Sequence, residues 1–260
     1  MGSLSGKKGV ILGVGNQRSI AWSVAEHFHK QGADLALTYL IDPKGRFEAN
    51  VKKLGEKVNA SLIMDCDVSD DNSIQSLINT LNSHWGELDF LVHSLAFAEQ
   101  KDLQIEFSST SRDGFSKAHE ISAFSLLPLT EGLVPMMKKR GGGSIISMSF
   151  IGSNIAVPHY HVMGPAKASL EASSRYLARE LGPENIRVNV ISSGAIKTLS
   201  SAGIKDFAEL MRIGADHSAM RRTVTQDEVA QTAVFLASEA SSGITGQVIY
   251  VDCGYSIMAN

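Results

Sequence analysis

The sequence contains only two cysteines, Cys66 and Cys253, among its 260 residues. Two thiols are too few for a disulfide framework, and we expect both to stay reduced, as in a cytoplasm. Each cysteine lies in or beside an apolar run, which favours a small buried hydrophobic side chain. The cysteine content therefore predicts a cytoplasmic protein without disulfide bonds.

Long apolar runs and an excess of charge of one sign are also missing. No stretch has the character of a transmembrane helix or a secretory leader. The formal net charge of −3 gives no electrostatic reason to expect nucleic acid or an anionic membrane as a partner. Hydrophobic residues make up 43% of the chain, enough for a large core, and no shift in composition divides it. We expect a single domain that binds a small ligand.

Seven short apolar runs recur along the chain, with amphipathic stretches between them. This alternation is typical of a parallel sheet covered by helices on both faces. It predicts a Rossmann-like, doubly wound α/β fold of about seven strands, formed by residues 1–260 as one domain. The runs span residues 9–12, 33–38, 61–64, 90–93, 144–148, 187–191 and 247–251.

A glycine-rich turn follows the first run, where Gly13 and Gly15 precede a helix expected at about residues 19–31. In such a turn, backbone amides and the helix dipole can hold a pyrophosphate. The third glycine of the usual spacing is missing, because Ser19 stands one place beyond the position where it would fall. The turn therefore indicates either a nucleotide site or an ordinary tight turn.

The second strand lacks the terminal acidic residue that would bind an adenosine ribose. Lys44 and Arg46, beyond the late Asp42, could meet a 2′-phosphate or simply face water, so these residues do not decide between NADH and NADPH. The third strand leads to Asp67 at the edge where ligands lie in this architecture. Asp67 could accept a hydrogen bond from an adenine amino group, or cap a helix starting at Ser69.

The fourth strand ends in small and apolar residues that suit close passage beside a flat nicotinamide. The preceding His93 has no obvious metal-ligand companions, and we expect a structural role for it. The residues after the strand are Ser94, Leu95, Ala96, Phe97 and Ala98.

Tyr160 and Lys167 form a candidate catalytic pair. If Tyr160 already lies in the helix, the seven-residue offset is nearly two turns, and both side chains leave one face. An ammonium about 4 Å from the phenol would lower the tyrosine pKa from near 10 to about 7–9, which suits a general acid. Pro165 between them requires a first turn or a kink. The alternative is a buried tyrosine and a surface lysine on a packing helix.

In their order, these motifs resemble the short-chain dehydrogenase/reductase superfamily, and within it the divergent branch of bacterial enoyl-acyl-carrier-protein reductases of type II fatty acid synthesis. The resemblance covers nearly the whole chain. Ordinary alcohol dehydrogenases and ketoacyl reductases typically carry an Asn-Asn-Ala-Gly type turn after strand four, where this chain has residues 94–97. The matching segments are 13–21, 66–68, 93–98, 114–115, 119–122, 160–167, 196–199, 203–204 and 252–255.

The resemblance implies hydride delivery from NADH, with NADPH as the alternative, to the β-carbon of a trans-2-enoyl thioester on acyl-carrier protein. It implies that Tyr160 donates to the thioester oxygen and that Lys167 holds the nicotinamide ribose. It also implies a homotetramer. By the same matching, the cofactor-binding residues would be Gly13, Ser19, Ile20, Asp67, Val68, Ser94, Leu95, Ala96, Lys167, Ile196 and Thr198.

The apolar spacing of segment 199–216 suits a helix over an apolar slot, and the resemblance implies a mobile substrate-binding lid. A fixed surface helix is the alternative. Our candidates for the acyl pocket, each of which could also be ordinary core, are Ala98, Phe97, Leu103, Phe150, Met163, Ile204 and Phe207.

The chain also departs from the family. Phe150 stands where members commonly place a second tyrosine, so that hydroxyl is absent or supplied elsewhere, for instance by Ser149. Ala195 replaces the proline of the usual turn before Ile196. Two rival hypotheses remain open at this point: a carbonyl reductase or alcohol dehydrogenase of the same superfamily, and a non-catalytic dinucleotide-binding protein.

Overall fold

The computed structural model describes residues 2–198, 201 and 206–258. Within these residues, seven strands are present: β1 Lys8–Leu12, β2 Asp34–Tyr39, β3 Leu62–Asp65, β4 Phe90–His93, β5 Gly143–Phe150, β6 Ile186–Ser193 and β7 Val248–Val251. They are parallel and form one sheet in the order β3-β2-β1-β4-β5-β6-β7. Each apolar run of the sequence overlaps a strand, which confirms the predicted doubly wound α/β fold.

Helices connect the strands and cover both faces of the sheet. In the described part of the chain they are α1 Ile20–Lys30, α2 Arg46–Lys57, α3 Asp71–His84, α4 Gln100–Gln104, α5 Arg112–His119, α6 Leu126–Lys139, α7 Met163–Leu181, α8 Phe207–His217 and α9 Gln226–Ala237. One turn of π-helix, Glu120–Phe124, joins α5 to the segment before α6.

Alternate residues of the strands supply the two apolar layers. Ile11 of β1 packs in the layer formed with α1, α2 and α9, whereas the neighbouring Val10 packs in the layer formed with α3, α6 and α7. In the first layer, the rings of Phe28 and Phe90 meet edge to face with centroids 4.9 Å apart. Burial on both faces explains why the strands read as nearly continuous apolar runs.

The strand order reverses direction between β1 and β4, which lie side by side. From β1 the chain proceeds outward through β2 and β3, and from β4 it proceeds outward through β5 to β7. The helices that follow β1 and β4 therefore leave toward opposite sides, and a crevice opens at the carboxyl ends of these strands. No helix within the described ranges has both the length and the apolarity to cross a membrane.

Candidate functional site

The turn after β1 lies directly against the end of β4. Gly13 has a φ of +93°, and a Cβ at this position would collide with the carbonyl oxygen of Ser94. Only glycine combines this backbone angle with so close an approach. The two strand ends therefore form one continuous floor at the crevice.

The N-terminus of α1 faces this floor with properties that suit an anion. Ser19 caps the helix: its Oγ accepts from the amide of Trp22 at 3.3 Å and donates to the carbonyl of Asn16 at 2.7 Å. Along the fully described α1, which begins at Ile20, the first turn carries no acidic side chain. The positive end of the helix dipole is thus available for a diphosphate. The hydroxyl of Ser19 thus holds the turn through these two hydrogen bonds, although the third glycine of the usual spacing is missing.

Asp67 lies exposed just beyond β3, two strands away from β1 and so roughly 10 Å along the sheet edge. It accepts from the amide of Ser69 at 3.0 Å and from its hydroxyl at 2.6 Å. The alternative that Asp67 caps a helix from Ser69 is wrong, because α3 begins at Asp71 and Asp70 is its cap. Val68 is buried in the layer of α3, α6 and α7.

The segments after β4 and β6 complete the predicted cofactor edge. After β4, Ser94 and Leu95 are half-buried and Ala96 is exposed. After β6, Ile196 is half-buried and packs against the same apolar layer as Ile20 of α1. The next predicted residue is held by reciprocal bonds: the amide of Thr198 donates to the hydroxyl of Ser201 at 2.8 Å, and the amide of Ser201 to the hydroxyl of Thr198 at 3.2 Å.

Tyr160 lies in a turn ahead of α7, not inside the helix. Because α7 begins at Met163, the premise that Tyr160 and Lys167 share one helix is wrong. Pro165 falls in the first turn of α7, where its missing amide costs no hydrogen bond. The two residues flanking the tyrosine, His159 and His161, have φ values of 59° and 32°, which are uncommon for residues other than glycine. The turn therefore presents Tyr160 in a constrained backbone.

Lys167 is buried between the ends of β4 and β5. Its Nζ donates to the carbonyl of Leu95 at 3.0 Å and to the carbonyl of Met148 at 2.8 Å. These two bonds fix the ammonium at the crevice, one residue beyond Ser94 and thus next to the floor formed with Gly13.

The predicted fall in the tyrosine pKa is wrong in direction. Burial raises the pKa of Tyr160 well above its usual value, and the charge of Glu171 raises it further. Burial lowers the pKa of Lys167 to about 8. The physical reason is that the ammonium is committed to backbone carbonyls, while the phenol lies among apolar side chains where a phenolate would be poorly solvated. Tyr160 is thus a hydrogen-bond donor that keeps its proton.

Ser149 is not free to replace the hydroxyl missing from Phe150. Its Oγ donates to Oε1 of Glu171 over 2.5 Å, and both residues are buried. The hypothesis that Ser149 supplies the missing donor therefore has no support in this geometry.

An apolar cluster surrounds Tyr160. The rings of Phe150 and Tyr160 meet edge to face, with centroids 4.8 Å apart and planes at 62°. Four of the predicted acyl-pocket residues belong to this cluster or pack against it, namely Ala98, Leu103, Phe150 and Met163.

The other predicted pocket residues are placed differently. The amide of Phe97 donates to the hydroxyl of Ser122 at 3.0 Å, and the ring lies 4.8 Å from the ammonium of Lys117 rather than within the cluster around Tyr160. Ile204 lies outside the described residues. Phe207 is the half-buried first residue of α8.

Helix α8 occupies part of the segment predicted as a lid. It runs from Phe207 to His217, whereas residues 199, 200 and 202–205 of that segment lie outside the described residues. Leu210 and Gly214 of α8 line a narrow cleft that also reaches Phe150 and Val157. The helix thus lies over one side of the apolar cluster.

Sequence reasoning missed Glu171. It stands four residues after Lys167, which places both on one face of α7. That spacing was the available signal. The two backbone carbonyls that bind Lys167 have no counterpart in a side-chain pattern, so the sequence could not reveal them.

Comparisons with known proteins identify relatives along almost the whole chain. The family described as Enoyl-(Acyl carrier protein) reductase matches residues 13–256. The enoyl-[acyl-carrier-protein] reductase [NADH] of Nostoc sp. is 51% identical over 256 residues, covering 98% of this chain and 98% of that protein.

Solved structures show the same fold at substantial identity. The enoyl-acyl carrier protein reductase of Bacillus cereus, solved with NADP+ and indole naphthyridinone, is 44% identical with a TM-score of 0.95 and covers 100% of both chains. The enoyl-(acyl-carrier-protein) reductase of Anaplasma phagocytophilum, in complex with NAD, is 41% identical with a TM-score of 0.94, covering 100% of this chain and 97% of that chain.

Proposed function

This chain belongs to the enoyl-(acyl carrier protein) reductase family, and we propose that it reduces trans-2-enoyl-acyl-carrier-protein thioesters to acyl thioesters with NADH in type II fatty acid synthesis. The single observation that carries the proposal is the position of Tyr160. It lies inside an apolar cluster, close in sequence to a lysine bound at the crevice floor. An acyl thioester needs that combination of an apolar pocket and one hydrogen-bond donor.

The crevice fits NADH. The diphosphate would lie at the N-terminus of α1, whose dipole favours an anion, and the close contact of Gly13 with Ser94 leaves room for the cofactor over the strand ends. When bound, NADH supplies the hydride for the β-carbon. The residues we propose to hold it are Gly13, Ser19, Ile20, Asp67, Val68, Ser94, Leu95, Ala96, Lys167, Ile196 and Thr198.

Tyr160 stabilises the charge that develops on the substrate. As the thioester becomes an enolate, its oxygen gains negative charge, and a hydroxyl aimed at that oxygen binds it more strongly than the ground state. The raised pKa of Tyr160 keeps the hydroxyl protonated, so it can donate this bond across the physiological pH range. Lys167 holds the nicotinamide ribose and so fixes the cofactor beside the substrate.

The apolar cluster receives the acyl chain. We assign its lining to Ala98, Leu103, Phe150 and Met163, whose packing against Tyr160 excludes water from the reacting thioester. We also propose that Phe207, the first residue of α8, contributes to this pocket. We assign the role of a substrate-binding lid to α8, the described helix of segment 199–216, and its support is the cleft between α8 and Phe150.

The test is NADH oxidation, followed by its near-ultraviolet absorbance, with a crotonyl thioester and with a ketoacyl thioester as substrates. We expect turnover with the crotonyl thioester and little with the ketoacyl thioester. Faster ketoacyl reduction would favour a carbonyl reductase, and no turnover with either would favour a non-catalytic dinucleotide-binding protein. Repeating the assay with NADPH, the alternative cofactor, ranks the two; we expect NADH to be preferred.

We also assign to the chain a homotetramer and a cytoplasmic location. The support for assembly is an exposed apolar face on the π-helical turn, α6 and α7, where Phe124, Leu127 and Tyr176 are 55%, 37% and 75% exposed. A second copy of the chain would remove these side chains from water. The support for the location is that Cys66 and Cys253 are both unpaired thiols.

A further inference from the structure

Glu171 is a buried carboxylate beside the site, with no role in the proposed reaction. It is 8% exposed and follows Lys167 by one turn of α7. The hydroxyl of Ser149 donates to it over 2.5 Å, a length typical of a hydroxyl bound to an ionised carboxylate. A negative charge therefore lies on the same helix face as the buried ammonium.

Glu171 and Lys167 together fix α7 to the end of β5. Lys167 donates to the carbonyl of Met148, and Glu171 accepts from Ser149, the next residue of the strand. Two side chains one helical turn apart thus bind two consecutive strand residues. The following residue, Phe150, contacts Tyr160. The two bonds therefore also fix the position of the end of β5 that contacts Tyr160.

The other titratable groups that face the pair are uncharged near neutral pH. Burial lowers the pKa of His93 on β4 to about 3, and burial raises the pKa of Tyr160 and that of Tyr250 on β7. Among the described residues, Glu171 is the carboxylate that opposes the charge of Lys167. Burial lowers the pKa of Lys167 to about 8, and Glu171 acts in the opposite direction.

We propose that Glu171 is a positioning residue of the reductase site, which keeps Lys167 charged and fixed against β5. The inference rests on the proposed role of Lys167 at the cofactor. A neutral amine at this position could still donate to both carbonyls, but without its positive charge it would bind the oxygens of the nicotinamide ribose more weakly, because hydrogen bonds from a charged donor are the stronger ones. NADH affinity should therefore fall once the pH exceeds the pKa of Lys167 in the free protein.

The experiment measures the dissociation constant of NADH by its fluorescence between pH 6 and pH 10, for the wild-type chain and for Glu171→Gln. Glutamine keeps the size and a hydrogen-bond acceptor for Ser149 but removes the charge. Without that charge the pKa of Lys167 falls, so affinity should begin to fall about one pH unit lower than in the wild type. A merely structural role would lower the melting temperature and leave this pH unchanged.

Two further variants serve as matched controls. Ser149→Ala removes the hydrogen bond but keeps the carboxylate of Glu171. The pH at which NADH affinity begins to fall should therefore shift less than it does in Glu171→Gln. Glu171→Asp keeps the negative charge but places it further from Lys167, so the pH at which NADH affinity falls should shift by an intermediate amount. If Glu171→Gln does not fold, the result for Glu171→Asp decides the test. If the folded Glu171 variants lose NADH affinity at the same pH as the wild type, this inference is wrong, but the proposed function is not affected. Failure of the wild-type chain to bind NADH would count against the proposed function instead.

Discussion

Phe150 lies edge to face against Tyr160, at the position where the resemblance to the family implies a second tyrosine. Phe150→Tyr adds one hydrogen-bond donor at the proposed thioester site, and an uncharged donor contributes about 0.5–1.5 kcal/mol. Because we propose that Tyr160 already donates to the thioester oxygen, we expect turnover with the crotonyl thioester to change by at most about tenfold, which corresponds to roughly 1.4 kcal/mol. Steady-state kinetics measures this, and the NADH dissociation constant, which should stay unchanged, is the control.

A gain of about a hundredfold or more on Phe150→Tyr would contradict this account. It would mean that the missing hydroxyl is essential for enoyl reduction. The natural substrate would then have to differ from an enoyl thioester, or the chain would act as a cofactor-binding protein.

The sequence singled out Tyr160 and Lys167 as a candidate catalytic pair, but it could not give their electrostatics. The seven-residue spacing fixes a separation along the chain. It says nothing of the carbonyls of Leu95 and Met148 that bind the ammonium, nor of the apolar burial that raises the tyrosine pKa. Those features arise from strands that are distant in sequence and meet only in the folded sheet.

At the scale of single elements, the turn between β1 and α1 yields a sharp prediction. Gly13→Ala places a Cβ against the carbonyl of Ser94 and forces a left-handed backbone on alanine, which costs about 1–2 kcal/mol before the clash. The turn must then move away from the position that we propose for the cofactor diphosphate. We expect NADH to bind at least about tenfold more weakly, as measured by fluorescence titration.

Gly45 provides a matched control for this variant. Its φ is also positive, at +63°, but a Cβ there meets nothing within 4 Å. Gly45→Ala should therefore destabilise the fold slightly and leave NADH affinity nearly unchanged. Equal affinities for Gly13→Ala and the wild type would show that the turn is not at the cofactor.

The elements themselves were largely predictable, because buried parallel strands leave continuous apolar runs. β4 matches its predicted run at both ends. The condition that Tyr160 lies inside α7 is not met, and Pro165, which is typical of a first turn, agrees with a helix that begins after Tyr160. Of the two roles considered for Asp67, the helix cap belongs instead to Asp70, an equally good capping residue three positions later.

At the scale of the whole molecule, the exposed apolar face predicts assembly. Replacing both Phe124 and Leu127 by lysine puts two charges where a second copy would pack. We expect sedimentation to show a homotetramer for the wild type and smaller species for this variant. Ile41→Lys, at a side chain 66% exposed on another part of the surface, should leave the assembly intact. A wild-type monomer would rule out the proposed tetramer.

The proposed reaction requires that the fold bring the hydroxyl of Tyr160 to the thioester oxygen beside the bound cofactor, and Tyr160→Phe removes that hydroxyl. The measurement is the turnover number with a crotonyl thioester, taken together with the dissociation constant of NADH. We predict that turnover falls by about a hundredfold or more while NADH affinity changes little, because the hydroxyl acts on charge that appears during the reaction. Lys167→Ala should instead impair both. Near-normal turnover of Tyr160→Phe would contradict the account.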